Sequence, residues 1–187
     1  MPVTTLDLAC ALIVIDLQTG IVSLPAAHPV GPVIERAAAL AAAFRRHGRP
    51  VVLVNVAGGA PGRTEQPPRI GQLPAGWTEL VPELNRQPGD HLVTKRTWGA
   101  FTGTGLADYL NGLGVTQLVI AGVATSIGVE STARHASENG FNVTLAVDAM
   151  TDRNIDAHDN SVTRIFPRLG ETGTAAEIIA LLDKVAV

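Results

Sequence analysis

The sequence is short of several residue types, and each shortage excludes a class of protein. Its 187 residues include a single cysteine, Cys10, so the chain cannot form an internal disulfide or a cysteine-rich metal site. Aromatic residues make up only 4% of the chain, and no run of Lys or Arg exceeds two residues. With 14 basic and 17 acidic residues, the net charge of −3 offers no basic face. A nucleic-acid partner is therefore not expected.

Long apolar segments and a secretory signal are also missing. The N-terminus has no basic segment followed by a long apolar one, as a signal peptide would have. The apolar stretch at 8–15 is too short to cross a bilayer and is followed by Asp16. A single cysteine fits a reducing compartment. We therefore expect a cytoplasmic protein that has no membrane partner.

The chain alternates apolar strand patterns with helical ones. Its length, with 46% apolar and 17% charged residues, suits one globular domain spanning 1–187. Apolar, β-branched runs typical of buried parallel strands lie at 11–15, 51–56, 117–121 and 142–147, with a shorter one at 91–94. Helical patterns lie at 31–47, 105–113, 127–139, 156–169 and 174–185. This alternation predicts an α/β, Rossmann-like three-layer sandwich, in which helices cover both faces of a mostly parallel sheet of five or six strands.

Candidate functional segments follow the ends of these strands. In a parallel α/β sheet the ligand cleft lies outside the carboxyl ends of the strands, near the point where the strand order reverses. The segments that this rule places at the cleft are Asp16, 55–63, Lys95 and 122–128. The irregular segment 58–82, rich in proline and glycine, is interpreted as a wall or lid of the same cleft.

Two charged residues at strand ends are candidate catalytic residues. Asp16 ends the apolar run Ile-Val-Ile-Asp, where partial burial suits a carboxylate to acid–base chemistry. Its structural alternatives are a helix N-cap or an ion-pair partner. Lys95 can orient a carboxylate or hold an anionic substrate, although a lysine in such a loop can equally be solvated. Trp98 and Phe101 are candidates for lining the pocket or for simple packing.

The segment Ala-Gly-Val-Ala-Thr-Ser-Ile-Gly-Val-Glu at 121–130 turns from a strand into a helix. Backbone amides at a helix N-terminus favour negative charge, so an oxyanion site is predicted there. Under a simpler interpretation, Thr125 or Ser126 is only the N-cap. A nucleophilic Ser126 is disfavoured because no histidine lies near it in sequence. In the 58–82 segment, Arg63 is a candidate for binding a substrate carboxylate, although loop arginines are commonly solvated.

Together these segments resemble the isochorismatase-like hydrolases, a family that includes nicotinamidases, carbamoyl-sarcosine hydrolases and related amidohydrolases. The resemblance rests on the order and spacing of Asp-Leu-Gln at 16–18, Lys95 followed by Gly-Ala-Phe, Gly-Val-Ala-Thr-Ser-Ile at 122–127, and Val-Thr-Leu-Ala-Val-Asp-Ala at 143–149. In the family's cysteine hydrolases an aspartate, a lysine and a cysteine form the catalytic group. The resemblance matches the first two to Asp16 and Lys95, and places Gly128 at the position of the cysteine.

A glycine at position 128 excludes covalent catalysis by a thiol there. Cys10 precedes Asp16 by six residues, about 20 Å along an extended strand, so it cannot take the thiol's place. Family members that hydrolyse a vinyl ether likewise have glycine at this position. The resemblance implies that Asp16 is a general acid assisted by Lys95. Burial raises the pKa of such a carboxyl group and the lysine lowers it, so its protonation state stays open.

The resemblance also implies the geometry of the oxyanion site and the state of assembly. A cis peptide bond is expected between Val123 and Ala124, and the backbone amides of Ala124 and Gly128 are expected to face negative charge or bound water. A homodimer or homotetramer is expected. No cofactor and no metal are expected, because the Asp-x-His of nicotinamidases is missing after 51–56 and the five histidines lack metal-ligand spacing.

Three hypotheses for the function remain open. The first is a thiol-independent hydrolase of a small anionic substrate, with vinyl-ether hydrolysis as its leading chemistry. The second is a catalytically inactive protein that only binds a small molecule. The third is an amidohydrolase in which Asp16 activates water directly. Asp152 is interpreted as a turn-forming residue, and the pattern assigns no role to His158.

Overall fold

Six strands, paired in parallel throughout, form the sheet at the centre of the structure, a computed structural model that describes residues 2–65 and 73–185. The strands are β1 (Cys10–Ile15), β2 (Val51–Val56), β3 (His91–Lys95), β4 (Gln117–Val123), β5 (Asn142–Thr151) and β6 (Glu171–Gly173). Their order across the sheet is β3-β2-β1-β4-β5-β6. The predicted α/β sandwich with a parallel sheet is confirmed.

The helices fall between the strands, as the alternating pattern predicts. They are α1 (Thr19–Val22), α2 (Val30–Arg46), α3 (Leu106–Gly112), α4 (Glu130–Glu138), α5 (Ile155–Asn160), α6 (Phe166–Leu169) and α7 (Ala175–Val185). A 3-10 turn spans Pro82–Leu84. Two π turns are continuous with helices, Thr125–Val129 before α4 and Ser161–Ile165 between α5 and α6. The helix predicted at 156–169 is thus one helical stretch with a π turn inside it.

The two faces of the sheet bury separate apolar clusters, because side chains alternate along each strand. On one face, β1 packs against α2 and α7 through residues that include Leu12, Val14 and Phe44. On the other face, the cluster includes Ile13 and Ile15 of β1 together with residues of α3, α4 and α6. Every residue of β1 and β4 is buried. The run of apolar residues along each central strand therefore reflects burial on both faces.

The strand order reverses between β1 and β4, and this places the cleft. From β1 the chain builds outward through β2 and β3, and then returns to β4 on the other side of β1. Ile15 pairs with Val54 on one side and with Gly122 on the other. Asp16 and Ala124, which follow β1 and β4, therefore lie at adjacent strand ends.

Three structural features differ from the sequence predictions or lie beyond them. β6 was not predicted, since its three residues carry no apolar pattern; it pairs with residues 144–146 of β5. Residues 77–81 of the irregular segment are hydrogen-bonded to the residues that follow β1, while residues 66–72 of that segment lie outside the described residues. No helix in the described part of the chain has the length and apolar character needed to cross a membrane.

Candidate active site

The carboxylate of Asp16 owes its direction to an unusual backbone conformation. An extended residue after Ile15 would point toward the face covered by α2, opposite to the side chain of Ile15. Asp16 instead has a φ of 50°, in the left-handed region that non-glycine residues seldom adopt. Lys95 follows Val93 by two residues and so lies on the same face as Ile15. The turn at Asp16 brings its carboxylate to Lys95.

Asp16 and Lys95 form a buried ion pair across 79 residues of sequence. Lys95 Nζ donates to Asp16 Oδ2 at 2.7 Å and to the carbonyl oxygen of Thr97 at 3.3 Å. The two charged residues are only 5% and 2% exposed, respectively. Asp16 Oδ1 is buried and has no hydrogen-bond partner among the described residues. One carboxylate oxygen is therefore anchored, and the other has an unused hydrogen-bonding position.

Burial dominates the protonation of this carboxyl group. Burial raises the pKa of Asp16 from 3.8 to about 6, although the charge and hydrogen bond of Lys95 both lower it. A carboxyl group with a pKa near the working pH can both give and accept a proton. Of the two opposing effects on the pKa of Asp16, desolvation is the larger and the charge of Lys95 the smaller.

Gly128 completes the group that the sequence predicts. It lies in the π turn that precedes α4. A Cβ atom at this position would lie 3.3 Å from Asp16 Oδ2 and 2.9 Å from Ile15 Cγ2. Any side chain at position 128 would therefore project against the carboxylate. The structure brings Asp16, Lys95 and Gly128 together.

Another glycine allows β4 to end this close to β1. Gly122 has a φ of 120°, and a Cβ atom there would lie 2.0 Å from the carbonyl oxygen of Ile15. Immediately after it, the peptide bond between Val123 and Ala124 is cis, as predicted. Ala124 is half-buried and is the N-cap residue of the helical segment. The close approach of the two strands thus depends on the absence of a side chain at Gly122.

The simpler alternative, in which Thr125 or Ser126 is only the N-cap of the helix, is not what the structure has. Neither makes a side-chain cap, since the helical segment starts after Ala124 with no capping side chain. The amide and hydroxyl of Ser126 donate to Asp152 Oδ2, at 2.7 and 2.8 Å. The Thr125 hydroxyl is hydrogen-bonded to His158 Nδ1 at 2.8 Å. Both hydroxyls thus find partners in the segment after β5 instead of the helix's own amides.

The other predicted binding residues differ in exposure. Arg63 is exposed, and Trp98 is 63% exposed. Phe101 is half-buried and stacks on Phe141, with ring centroids 6.2 Å apart. None of the three is hydrogen-bonded to Asp16 among the described residues, and their binding roles stay predictions.

Sequence reasoning missed several residues that support the site. Thr132, which is fully buried, donates to the carbonyl oxygen of Gly128 at 2.6 Å and accepts from the amide of Ala100 at 3.1 Å. Gln18 accepts from the amide of Val56 at 2.7 Å and donates to the carbonyl oxygen of Trp77 at 3.0 Å. Ala100, Val56 and Trp77 are distant in sequence from the side chains that bind them, so no local pattern indicates these bonds.

The described residues place neither a thiol nor a group of metal-ligating side chains beside this carboxylate. Cys10 begins β1 at the end opposite to Asp16, is fully buried, and burial raises its pKa. A buried thiol with a raised pKa is a poor nucleophile. Across residues 2–65 and 73–185, no three His, Cys, Asp or Glu side chains group together in a way that could hold a metal ion.

Comparison with known proteins agrees with this architecture. The family model described as the Isochorismatase domain matches residues 10–177. The uncharacterized isochorismatase family protein YwoC of Bacillus subtilis is 42% identical over 176 residues, covering 90% of this chain and 92% of the relative. The streptothricin hydrolase of Streptomyces noursei is 38% identical over 148 residues, covering 79% of this chain and 51% of the relative.

The fold has a close match among solved structures. An isochorismatase family protein from Burkholderia thailandensis superposes with a TM-score of 0.91 at 44% sequence identity, covering 96% of this chain and 98% of that one. The family model and this solved structure both indicate the isochorismatase family. The chain belongs to the isochorismatase family and is a hydrolase.

Proposed function

We propose that this protein hydrolyses a small anionic substrate without a thiol, using Asp16 as general acid and base and Lys95 as its partner. The observation that carries the proposal is the Asp16 carboxylate. Its Oδ2 is held by Lys95, its buried Oδ1 has no partner among the described residues, and it faces a glycine at position 128. Acid–base chemistry needs only the carboxylate, whereas covalent catalysis needs a nucleophile at position 128.

The pKa of Asp16 suits proton transfer in both directions. With a pKa of about 6, about one molecule in ten carries the proton at neutral pH, and a larger fraction does at pH 6. Lys95 Nζ occupies Oδ2, so Oδ1 is the oxygen that carries and delivers this proton. When Asp16 is protonated, the charge of Lys95 is no longer compensated. The protonated site then favours an anionic substrate.

Vinyl-ether hydrolysis is the leading chemistry. Asp16 transfers its proton to the terminal carbon of the enol ether, and the resulting positive charge is shared between the adjacent carbon and the ether oxygen. Water adds to that carbon and loses a proton, which regenerates the acid. The hemiketal then collapses to a ketone and an alcohol. Lys95 stabilises the carboxylate that exists between the two proton transfers.

Amide hydrolysis is the second candidate, and similarity to the ureidoacrylate amidohydrolase of Pseudomonas syringae, 33% identical over 154 residues, favours it. At neutral pH most molecules carry ionised Asp16, which can accept a proton from water. Water activated in this way would attack the amide carbonyl directly, without an acyl-enzyme. The backbone amides of Ala124 and Gly128 would then face the developing oxyanion. As the tetrahedral adduct collapses, the C–N bond breaks and Asp16 gives its proton to the departing amine.

Pyruvate release from isochorismate tests the leading chemistry. Wild type, Asp16→Asn and Asp108→Asn are compared, since Asp108 is exposed on α3 and undergoes the same chemical change away from the site. We expect pyruvate from wild type and from Asp108→Asn, and a loss of about 100-fold or more in Asp16→Asn. Folded wild type that forms no pyruvate would exclude isochorismate. Amide substrates, assayed for the released amine, would then decide between amide hydrolysis and binding alone.

A further inference from the structure

The segment that follows Lys95 is attached to the lysine ammonium group itself. Lys95 Nζ contacts Asp16 Oδ2 and donates to the carbonyl oxygen of Thr97. The hydroxyl of Thr97 donates in turn to the carbonyl oxygen of Gly99 at 3.0 Å. The segment 95–99 is thereby folded back around the ammonium group. Its position decides where Lys95 Nζ can lie.

The same segment packs closely along one face of α4. A Cβ atom at Gly99 would lie 2.8 Å from His135 Nδ1 and 3.4 Å from the carbonyl carbon of Ser131. Next to it, the buried amide of Ala100 donates to the hydroxyl of Thr132. Residues 131, 132 and 135 lie on one side of the helix. The segment is thus in van der Waals contact with α4 and is held there by one directional bond.

Thr132 connects this segment to the turn that faces the carboxylate. Its hydroxyl, which accepts from Ala100, donates to the carbonyl oxygen of Gly128 at 2.6 Å. A Cβ atom at Gly128 would lie 3.3 Å from Asp16 Oδ2, so the turn lies beside the carboxylate. The contacts therefore close a ring that runs from Asp16 through Lys95, the segment 97–100, Thr132 and Gly128 back to Asp16.

A threonine inside a helix commonly donates to the carbonyl oxygen four residues earlier, and that bond alone has no functional meaning. Here the hydroxyl oxygen of Thr132 also accepts from the amide of Ala100, which lies 32 residues away in sequence. Ala100 is fully buried, so removing the hydroxyl leaves a buried amide without its partner. The segment has to shift to satisfy that amide.

We propose that Thr132 is a positioning residue, whose hydroxyl fixes the segment that carries Lys95 against the turn that carries Gly128 and so keeps Lys95 Nζ at Asp16. The inference rests on the proposed function, which assigns the chemistry to Asp16 and Lys95. Lys95 is the charged neighbour that lowers the pKa of Asp16. When the hydroxyl is lost, Lys95 withdraws and the pKa of Asp16 rises.

The test is a pH titration of the Asp16 carboxyl carbon by 13C NMR, with its signal assigned by its loss in Asp16→Asn. Thr132→Val removes the hydroxyl at nearly constant shape, and Thr132→Ser retains it. The matched control is Thr144→Val, because Thr144 is fully buried and accepts from Gln117 Nε2 at 3.0 Å, in the interior of β5. We expect Thr132→Val to raise the titration midpoint by about one pH unit. Thr132→Ser and Thr144→Val are expected to titrate like wild type.

Three results would overturn the proposal: an unchanged midpoint in Thr132→Val, an equal shift in Thr132→Ser, or an equal shift in Thr144→Val. If Thr132→Val does not fold, Thr132→Ala is compared with Thr132→Ser, since these variants differ by a single oxygen atom. The titration needs no substrate. A shifted midpoint in a protein that hydrolyses nothing therefore supports the positioning role while contradicting the proposed function.

Discussion

The space beside the Asp16 carboxylate can be filled by one methyl group through Gly128→Ala. The added Cβ would lie 2.9 Å from Ile15 Cγ2, closer than carbon atoms pack. Ile15 is β-branched and fully buried in β1, so it has little freedom to move away. Overpacking of this kind costs about 1–3 kcal/mol, whereas replacing a helical glycine by alanine gains about 0.5–1 kcal/mol. We expect a net loss of about 1 kcal/mol in the free energy of unfolding.

Gly112→Ala is the matched control. Gly112 lies in α3, and a Cβ atom there would meet nothing within 4 Å. The same substitution should therefore stabilise the protein by about 0.5 kcal/mol. Urea denaturation followed by circular dichroism measures both variants against wild type. The two alanines are thus expected to shift the unfolding midpoint in opposite directions.

The effect of Gly128→Ala on activity follows from the distance between the added Cβ and Asp16 Oδ2. A methyl carbon 3.3 Å from Asp16 Oδ2 crowds the carboxyl group whose other oxygen, Oδ1, delivers the proton in the proposed mechanism. We expect kcat/KM to fall at least tenfold, which corresponds to about 1.4 kcal/mol of transition-state stabilisation. If Gly128→Ala matches Gly112→Ala in both stability and turnover, the packing distances are not limiting and the proposed site is in the wrong place.

The remaining predictions concern ionised groups. The folded protein holds the Asp16 proton more tightly than the unfolded chain does, because burial raises the pKa of this group. The stability of wild type relative to Asp16→Asn should therefore fall by up to about 3 kcal/mol as the pH rises from about 4 to about 7. Urea denaturation at several pH values measures this difference, and a constant difference would contradict the raised pKa. Lys95→Met should raise the pKa of Asp16 above about 6, measured by 13C NMR, and a lowered pKa would mean that water enters. Arg45→Ala breaks a paired hydrogen bond to Asp90, whose side chain is 3% exposed, and should cost about 2 kcal/mol in urea denaturation. Arg46→Ala breaks an exposed pair with Asp183 and should have a smaller effect, and equal effects of the two variants would contradict the dependence on burial.

The sequence predicts the central strands well because burial on both faces leaves a continuous apolar run. It fails at strand ends and edges. The strand predicted at 117–121 continues to Val123, since Gly122 extends the strand against β1 although a glycine usually indicates a break. β6 is held by its pairing with β5, and three residues without an apolar pattern give no signal of that pairing.

The sequence predicts those residues of the candidate site that lie at the ends of strands. Asp16 and Lys95 follow parallel strands, and such ends share one edge of the sheet, so their proximity follows from topology. The hydrogen bond between Thr125 and His158 and the bond that the Ala100 amide donates to Thr132 join elements that only tertiary packing brings together. A threonine in a helix and a histidine in a helix have ordinary local explanations. The residues next to them in sequence do not indicate that they bind partners in other elements.

Asp16 combines three features that each reduce stability. Its φ of 50° costs ~1 kcal/mol for a residue with a side chain. Its burial opposes ionisation, and a buried ion pair commonly contributes less stability than apolar residues of the same volume. Its buried Oδ1 receives no hydrogen bond from residues 2–65 and 73–185. A protein that only bound a ligand could hold it with a relaxed, fully paired side chain. A general acid and base requires a carboxyl group whose proton is poised near neutrality and whose second oxygen is free, and these costs are what produce both properties.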